Sequence, residues 1–336
     1  MVFHLNSYFS DQLRLLARLN PDRMINYLKM RASLGLSRII SRPVVWSQPF
    51  SVHLETASVC NLKCPECIAG MGLTSRNSKL MDVALVREKL KLHQKHAFYC
   101  NLYFQGEPFL NPNLAEIINQ ATGLNYYSVV STNGHFLDEK NCIRIIESGL
   151  DKLIVSLDGI DSESYSKYRS GGLFNKVTRG IRQMAETKKS LNKKNPLLVV
   201  QMLVNKNNEH QLGKARQFVK DMGADMLEFK SMQIYTDDGK KQFLPSGKKF
   251  NRYFGKSRNF SPQSHKKGVC TRLWSHVVYT SDGFMVPCCY DKKPEYLIKG
   301  DNGVNSNLWR SEKMQEFRAK LFRKEEVPEI CRNCGS

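Results

Sequence analysis

The sequence predicts an α/β fold built on a parallel sheet with crossover helices. Two observations predict it. Between Ser51 and Ser231, six extended segments alternate with five helical ones, and that alternation calls for parallel strands joined through helices. Groups of Cys, Gly, Glu, Ser and Asn recur where the extended segments end, which is where folds of this kind carry function. The 336 residues suit about two domains. A hydrophobic fraction of 41% supports a large core and excludes wholesale disorder.

Residues 1–50 read as a helical N-terminal extension. Phe9, Leu13 and Leu16 recur at helical spacing, and Asn20-Pro21 resembles an N-cap followed by proline at the first helical position. Met24, Ile25, Leu28 and Ala32 mark one face, and Gly35 is the expected stop. Arg14, Arg18, Arg23, Lys29, Arg31, Arg38 and Arg42 make the segment basic. The pattern predicts an extension packed on the main domain with its basic face in solvent; a surface for an anionic partner or membrane is the alternative.

The core follows over 51–238. Extended segments are expected at 51–57, 99–104, 127–131, 152–157, 197–204 and 225–230, and helices at 81–97, 113–123, 138–148, 174–190 and 208–222. Residues 239–268 then change character: nine Lys and Arg interleave with Phe243, Phe250, Tyr253, Phe254 and Phe260, with no acid. This reads as a basic linker or lid whose aromatics pack on a neighbour; a single-strand nucleic-acid surface is the alternative. A cysteine-rich segment, 269–336, closes the chain, with Asp301-Asn302-Gly303 as a turn.

The formal charge of +20, from 51 basic and 31 acidic residues, favours anionic partners. No stretch approaches the roughly 18 apolar residues of a membrane span. The start, Met1-Val-Phe-His-Leu-Asn, lacks a signal-peptide pattern. Ten cysteines in clustered spacings suggest metal ligation in a reducing compartment, and a cytoplasmic location is expected.

Cys60, Cys64 and Cys67 lie within eight residues, on a loop after the first extended segment. An odd number on a short loop cannot be satisfied as mutual disulfides, but it can converge on one metal centre. Three thiolates on a cubane iron–sulfur cluster leave one iron for a small molecule. A zinc loop is the alternative, although zinc usually takes two-residue gaps and a fourth ligand nearby. Gln105-Gly106-Glu107-Pro108 follows the second strand, Ser131-Thr132-Asn133-Gly134 the third, and Ser156-Leu157-Asp158-Gly159 lies at the end of the fourth.

With these loops and the C-terminal cysteines in place, residues 51–336 resemble the radical S-adenosylmethionine (radical SAM) superfamily, in the branch with a C-terminal SPASM or twitch extension. The resemblance implies a partial (β/α)6 barrel and a 4Fe–4S cluster held by Cys60, Cys64 and Cys67. The open iron of that cluster would chelate S-adenosylmethionine, and reductive cleavage would yield a 5′-deoxyadenosyl radical that abstracts hydrogen from substrate. Gly106 and Glu107 match the family's Gly-Gly-Glu element, with Gln105 in place of its first glycine. Glu107 is thereby expected on the methionine ammonium, or as a helix cap. Ser156 and Arg169 fall where relatives hold the ribose and the methionine carboxylate; an arginine at the surface is the alternative. Thr132 and Asn133 line the same mouth, and Lys230 ends strand six. Glu66 departs from the family, many members of which carry an aromatic just before the third cysteine.

Cys270, Gly283 and Cys288 fit the opening of the SPASM pattern. Four cysteines, Cys270, Cys288, Cys331 and Cys334, imply one auxiliary 4Fe–4S cluster in the twitch manner, closed and suited to electron transfer. Structural zinc is the alternative, and Cys289 is the rival of Cys288. Cys100 and Cys142 read as small core residues. Asp291 is the candidate base. The reading is a radical SAM oxidoreductase that performs a dehydrogenation or peptide modification on a small-molecule or peptide substrate. Its electron donor would be flavodoxin or ferredoxin. An RNA-modifying member of the superfamily and a non-catalytic iron–sulfur or zinc scaffold are the rivals.

Overall fold

The computed structural model describes residues 2–253, 270–299, 308–323 and 327–334. Half of the basic aromatic stretch, from 254 to 268, and the Asp301–Gly303 turn lie outside them. Two helices, α1 (Leu5–Ala17) and α2 (Pro21–Ile40), precede the sheet. The core then alternates β1 (Ser51–Leu54), α3 (Val83–His93), β2 (Tyr99–Asn101), α4 (Leu114–Gly123), β3 (Tyr127–Thr132), α5 (Glu139–Glu147) and β4 (Lys152–Ser156). It continues with α6 (Ser162–Tyr168), α7 (Phe174–Ser190), β5 (Leu197–Val204), α8 (Leu212–Asp221), β6 (Met226–Ser231) and α9 (Asp237–Phe243). The C-terminal part adds α10 (Thr271–Ser275), β7 (His276–Tyr279), β8 (Met285–Val286), α11 (Glu312–Lys320) and α12 (Glu329–Arg332).

One sheet carries the molecule, in the order β6-β5-β4-β3-β2-β1-β7-β8. Strands β1 to β6 pair in parallel, in sequence order. Parallel strands covered on both faces read as continuous apolar runs. Residues 197–200 of β5 and 127–130 of β3 are buried without a break. The helices start where carboxylates cap them. Asp82, Asp138 and Asp161 accept from Ala84, Asn141 and Ser164 N, each at 2.8 Å, and each cap is worth about 1 kcal/mol.

Three features differ from the sequence expectation. Helix α2 runs through Gly35 to Ile40 and stops at Ser41, whose φ is 53°. Its second half continues because Leu34 and Ser37 are buried against the body, and packing outweighs the glycine's propensity. The C-terminal segment extends the barrel sheet: β7 lies parallel to β1, with Ser51 opposite His276 and Leu54 opposite Tyr279, and β8 returns antiparallel. Helix α6 breaks the connection after β4 into two helices, because the Asp161 cap starts one and the turn at Arg169–Gly172 ends it.

The N-terminal helices pack polar face inward. Asp11 is fully buried; it accepts a hydrogen bond from the Tyr127 hydroxyl and pairs with Arg14 at 3.1 Å and Lys152 at 3.5 Å. Arg23, also buried, donates to the carbonyls of Asn125 at 2.8 Å and Gln94 at 3.0 Å. Phe9, Leu13 and Leu16, expected to mark helical packing, face solvent. Charged groups on the outer strand edges and loops of the sheet account for this: Asp151 and Lys152 need partners, and α1 supplies Arg14, Arg18 and Asp11.

Candidate metal centre and adjoining cavity

The loop after β1 brings Cys60, Cys64 and Cys67 to the mouth formed by the C-terminal ends of β1 to β4. Its path is set by backbone contacts: Cys67 N donates to Cys64 O at 3.2 Å, Met71 N to Cys67 O at 2.8 Å, and Lys63 N to Ser170 O at 2.9 Å. Leu62 N points at Cys60 Sγ, 3.4 Å away, and Asn133 Nδ2 lies 3.7 Å from the same sulfur. Burial pushes the Cys60 thiol up and the Cys64 thiol up to about 11, with each other's charge adding to the shift at Cys64. One buried and two half-buried thiols that repel as thiolates suit a shared cationic centre such as an iron–sulfur cluster. Among the described residues, no group of three or more His, Cys, Asp or Glu is arranged to hold a single metal ion.

Neighbouring strand ends lock this loop. Gly106 has a φ of 70°, and a Cβ there would stand 2.4 Å from Ala57 O and 2.7 Å from Val59 O, so only glycine lets the second loop run against the first. Glu107 N then donates to Val59 O at 2.8 Å. The Glu107 carboxylate is buried and accepts from Thr132 Oγ1 at 2.7 Å, Asn133 N at 2.7 Å and Phe109 N at 3.1 Å. It therefore caps the short turn at Pro108–Leu110 and joins the β2 and β3 loops. Burial raises its pKa to about 7 against the lowering effect of those donors. Asn133 completes the link, with Nδ2 on Asn61 Oδ1 at 2.8 Å.

Arg169, at the C-terminus of α6, donates from Nε to Asp158 Oδ2 at 2.6 Å, and Asp158 Oδ1 accepts from Leu203 N at 2.6 Å. This pair lies beside Cys64, which carries Arg169 among its electrostatic neighbours. Ser156 closes β4 opposite Gln201. Lys230 pairs with Glu228 at 3.0 Å on the exposed end of β6.

Glu66 has a defined structural task. Its buried carboxylate accepts from Tyr235 N at 2.5 Å and from the Thr236 hydroxyl, and Thr236 caps α9 by accepting from Gly239 N at 2.8 Å. A Cβ on Gly239 would stand 1.8 Å from Glu66 Oε1. The cluster loop is thus bolted to the start of α9, which brings Phe243 and Tyr253 under it. Both pack with Leu62, Cys64 and Tyr168. The described part of the basic aromatic stretch therefore buries Phe243 and Tyr253 beneath the loop, while Phe250 packs edge-on against Phe229 of β6.

The C-terminal cysteines form a second group. Cys270 and Cys331 feel one another and Cys334, and Cys288 feels Cys270. Burial pushes Cys331 up to about 12. The Cys289 thiol is held low by the hydrogen bond from Cys288 and by Arg272 and Lys292. Arg272 Nη1 lies 3.7 Å from Cys334 Sγ. The tail is held by Asn333, which donates to Ile234 O at 2.9 Å and accepts from the Tyr253 hydroxyl at 2.6 Å.

Between the two cysteine groups lies a cavity of about 90 Å³, lined by Ile68 of the cluster loop, Tyr235 beyond β6, Tyr290, Asp291 and Lys292 beyond β8, and Asn333. Lys292 Nζ donates to Gln233 Oε1 at 3.1 Å and sits 5.3 Å from the Tyr235 ring centre. The Tyr235 hydroxyl and Arg252 Nε are buried without a hydrogen-bond partner, and orphaned buried donors mark a place where a ligand completes the structure. Asp291 is fully buried, with its oxygens accepting from Glu295 N at 2.8 Å and Tyr296 N at 3.0 Å. A broader hollow of about 710 Å³, near Asp82, Arg87 and Glu116, contains no cysteine.

Sequence reasoning missed the pair that fastens the two halves. Glu55 and Arg76 are both fully buried and meet in a two-pronged bridge, 2.6 and 3.1 Å. Glu55 also accepts from Ser281 N at 2.9 Å, and Arg76 donates to Lys292 O at 3.2 Å. Nothing in the local pattern marks these residues, since their partners are distant in the chain.

A parallel sheet with three thiols at its mouth and a second thiol group beyond it defines an iron–sulfur protein with an internal ligand site. Residues 54–219 match the family described as the radical SAM superfamily, and residues 270–335 match the SPASM iron–sulfur cluster-binding domain. The chain belongs to the radical SAM superfamily, in its SPASM branch, and its cofactors are 4Fe–4S clusters and S-adenosylmethionine. It is 26% identical over 304 residues to a probable GTP 3′,8-cyclase of Methanococcus maripaludis, covering 82% of this chain and 95% of that protein. It is 24% identical over 311 residues to the PqqA peptide cyclase of Gluconobacter oxydans, covering 86% and 83%. Among solved structures, SuiB of Streptococcus suis bound to S-adenosylmethionine superposes with a TM-score of 0.59 at 12% identity, over 91% of this chain and 74% of that one. SuiB has also been solved bound to its precursor peptide SuiA.

Proposed function

We propose that this chain is a radical SAM oxidoreductase that acts on a small molecule or peptide bound between its two cysteine groups. The observation that carries the reading is the cavity that opens onto Ile68 on one side and the Tyr290–Lys292 segment on the other, with the Tyr235 hydroxyl orphaned in its wall. The cofactors supply the reactive species: one electron, passed through the loop cluster, cleaves S-adenosylmethionine to methionine and a 5′-deoxyadenosyl radical that takes a hydrogen atom from substrate.

The chain's own residues then bind and orient. Cys60, Cys64 and Cys67 are the ligands of the first cluster. Gly106 and Glu107 shape the rim that receives the methionine ammonium. Arg169, oriented by Asp158, faces the methionine carboxylate, and Ser156 the ribose. Cys270, Cys288, Cys331 and Cys334 would hold a single auxiliary cluster, and the spacing from Gly283 favours Cys288 over Cys289. That cluster would supply an acceptor for the second electron of a net oxidation, a dehydrogenation or a peptide modification. Asp291, whose two oxygens each accept one backbone N–H and so keep a further lone pair, takes the accompanying proton. Two relatives are named for the cyclisation of a nucleotide and of a peptide, and the net charge of +20 favours an anionic substrate. A donor such as flavodoxin or ferredoxin supplies the electron, in the reducing cytoplasm that keeps thiols reduced. Among the described residues, no helix is long and apolar enough to cross a membrane.

Anaerobic reconstitution followed by dithionite and S-adenosylmethionine tests the proposal. Release of 5′-deoxyadenosine is expected. Bound iron is expected at about eight atoms per chain, falling to about four in the Cys60/Cys64/Cys67 triple-alanine variant. A colourless protein with stoichiometric zinc and no 5′-deoxyadenosine overturns it.

A further inference from the structure

We propose that the outward faces of α1 and α2 form a docking surface for an anionic lipid bilayer, on which the enzyme lies without crossing it. An amphipathic helix on a globular protein normally turns its apolar stripe to the core. Helix α1 does the opposite, and α2, which seats Met30 and Leu34 in the core, leaves a second apolar set outside. Leu5, Phe9, Leu13 and Leu16 repeat along one side of α1 and are 51–73% exposed, and Ile25, Leu28 and Ile39 of α2 are 50–82% exposed. Of the 13 large hydrophobic residues exposed among the described residues, nine lie in these two helices. The inward sides are fixed by the Asp11, Arg14 and Arg18 pairs with Asp151 and Lys152, by the Arg23 bonds to backbone, and in α2 also by Met30 and Leu34 in the core. The outward stripe is therefore held in place and stays uncovered among the described residues.

Charge selects the occupant. Lys29, Arg31, Arg38 and Arg42 are exposed in this segment, and Asp22 is the one exposed acid among described residues 2–50. A second copy would set one cationic rim against another and repel it, whereas an anionic lipid surface complements both the apolar stripe and its rim. Trp46, 48% exposed at the end of the segment, adds an aromatic of the kind that sits at headgroup level. No helix among the described residues can span a bilayer, so the surface mode is the one the helices support. This proposal does not depend on the cluster chemistry.

The test is co-flotation of the full-length, reconstituted protein with vesicles. Binding is expected to equimolar phosphatidylglycerol and phosphatidylcholine, with weakening as salt rises and little binding to phosphatidylcholine alone. Phe9→Ser with Leu13→Ser, and separately Ile25→Ser with Leu28→Ser, is expected to lower vesicle affinity by about tenfold or more. Iron content and circular dichroism should stay unchanged, which separates lost docking from lost folding. No binding to the anionic vesicles, or binding that both variants leave intact, overturns the proposal. So does a concentration-dependent dimer, seen by sedimentation, that the same variants abolish, because the stripe then belongs to a second copy.

Discussion

At the scale of single residues, Glu66 shows how a carboxylate inside a cluster loop serves architecture. The sequence marked it as a departure from the family, and its position before the third cysteine gave no reason for it. The reason lies about 170 residues further on, where Tyr235 N and Thr236 need an acceptor at the start of α9. Replacing Glu66 by alanine leaves a buried N–H without a partner, which costs about 1–3 kcal/mol. Urea unfolding is expected to show that loss, and the Cys60–Cys67 loop is expected to retain less iron after gel filtration. Gly239→Ala should produce a similar defect, because its methyl group would occupy the space of Glu66 Oε1. By contrast, Gly106 and Glu107 were legible as a pair beside the cysteines. Only the coordinates show Glu107 joining Thr132, Asn133 and Phe109.

At the scale of elements, the loop after β1 and the hairpin β7–β8 are joined by Glu55 and Arg76. The pair is dry, two-pronged and tied on each side to backbone of the C-terminal segment. Arg76→Leu leaves Glu55 as a buried, unpaired charge and is expected to cost about 3–5 kcal/mol in chemical denaturation. The double variant Glu55→Leu/Arg76→Leu should recover part of that loss, since removing both charges abolishes the desolvation penalty; a double variant as unstable as the sum of the singles would contradict this account. The core helices and strands themselves were readable, because each has the period of its class, and α3 and α5 also have an Asp cap. Strands β7 and β8 were not, because four- and two-residue strands carry too little pattern to separate from a loop. The stop at Gly35 failed for a related reason: a single residue's propensity is smaller than the packing of Leu34 and Ser37.

At the scale of the whole molecule, the C-terminal segment completes the sheet. β7 covers the edge of β1, and Trp274 and Trp309, both buried, donate to Val44 O at 2.7 Å and Ser47 O at 3.0 Å. A chain ending at Tyr253 would expose that edge and the surface beneath the tryptophans. It is expected to unfold without a single cooperative transition and to aggregate. A truncated chain that melts as sharply as the full one would show the barrel to be self-sufficient. The sequence by itself determined the class: the alternation of strands and helices, the spacing of Cys60, Cys64 and Cys67, and the C-terminal cysteines are local patterns, and local patterns survive without coordinates. Tertiary structure alone decided which side of α1 and α2 faces the sheet, what Glu66 and Arg76 hold, and that a cavity lies between the two cysteine groups. Each of these depends on buried partners far apart in the chain, whose pairing is set by desolvation and geometry and leaves no periodic trace in the sequence.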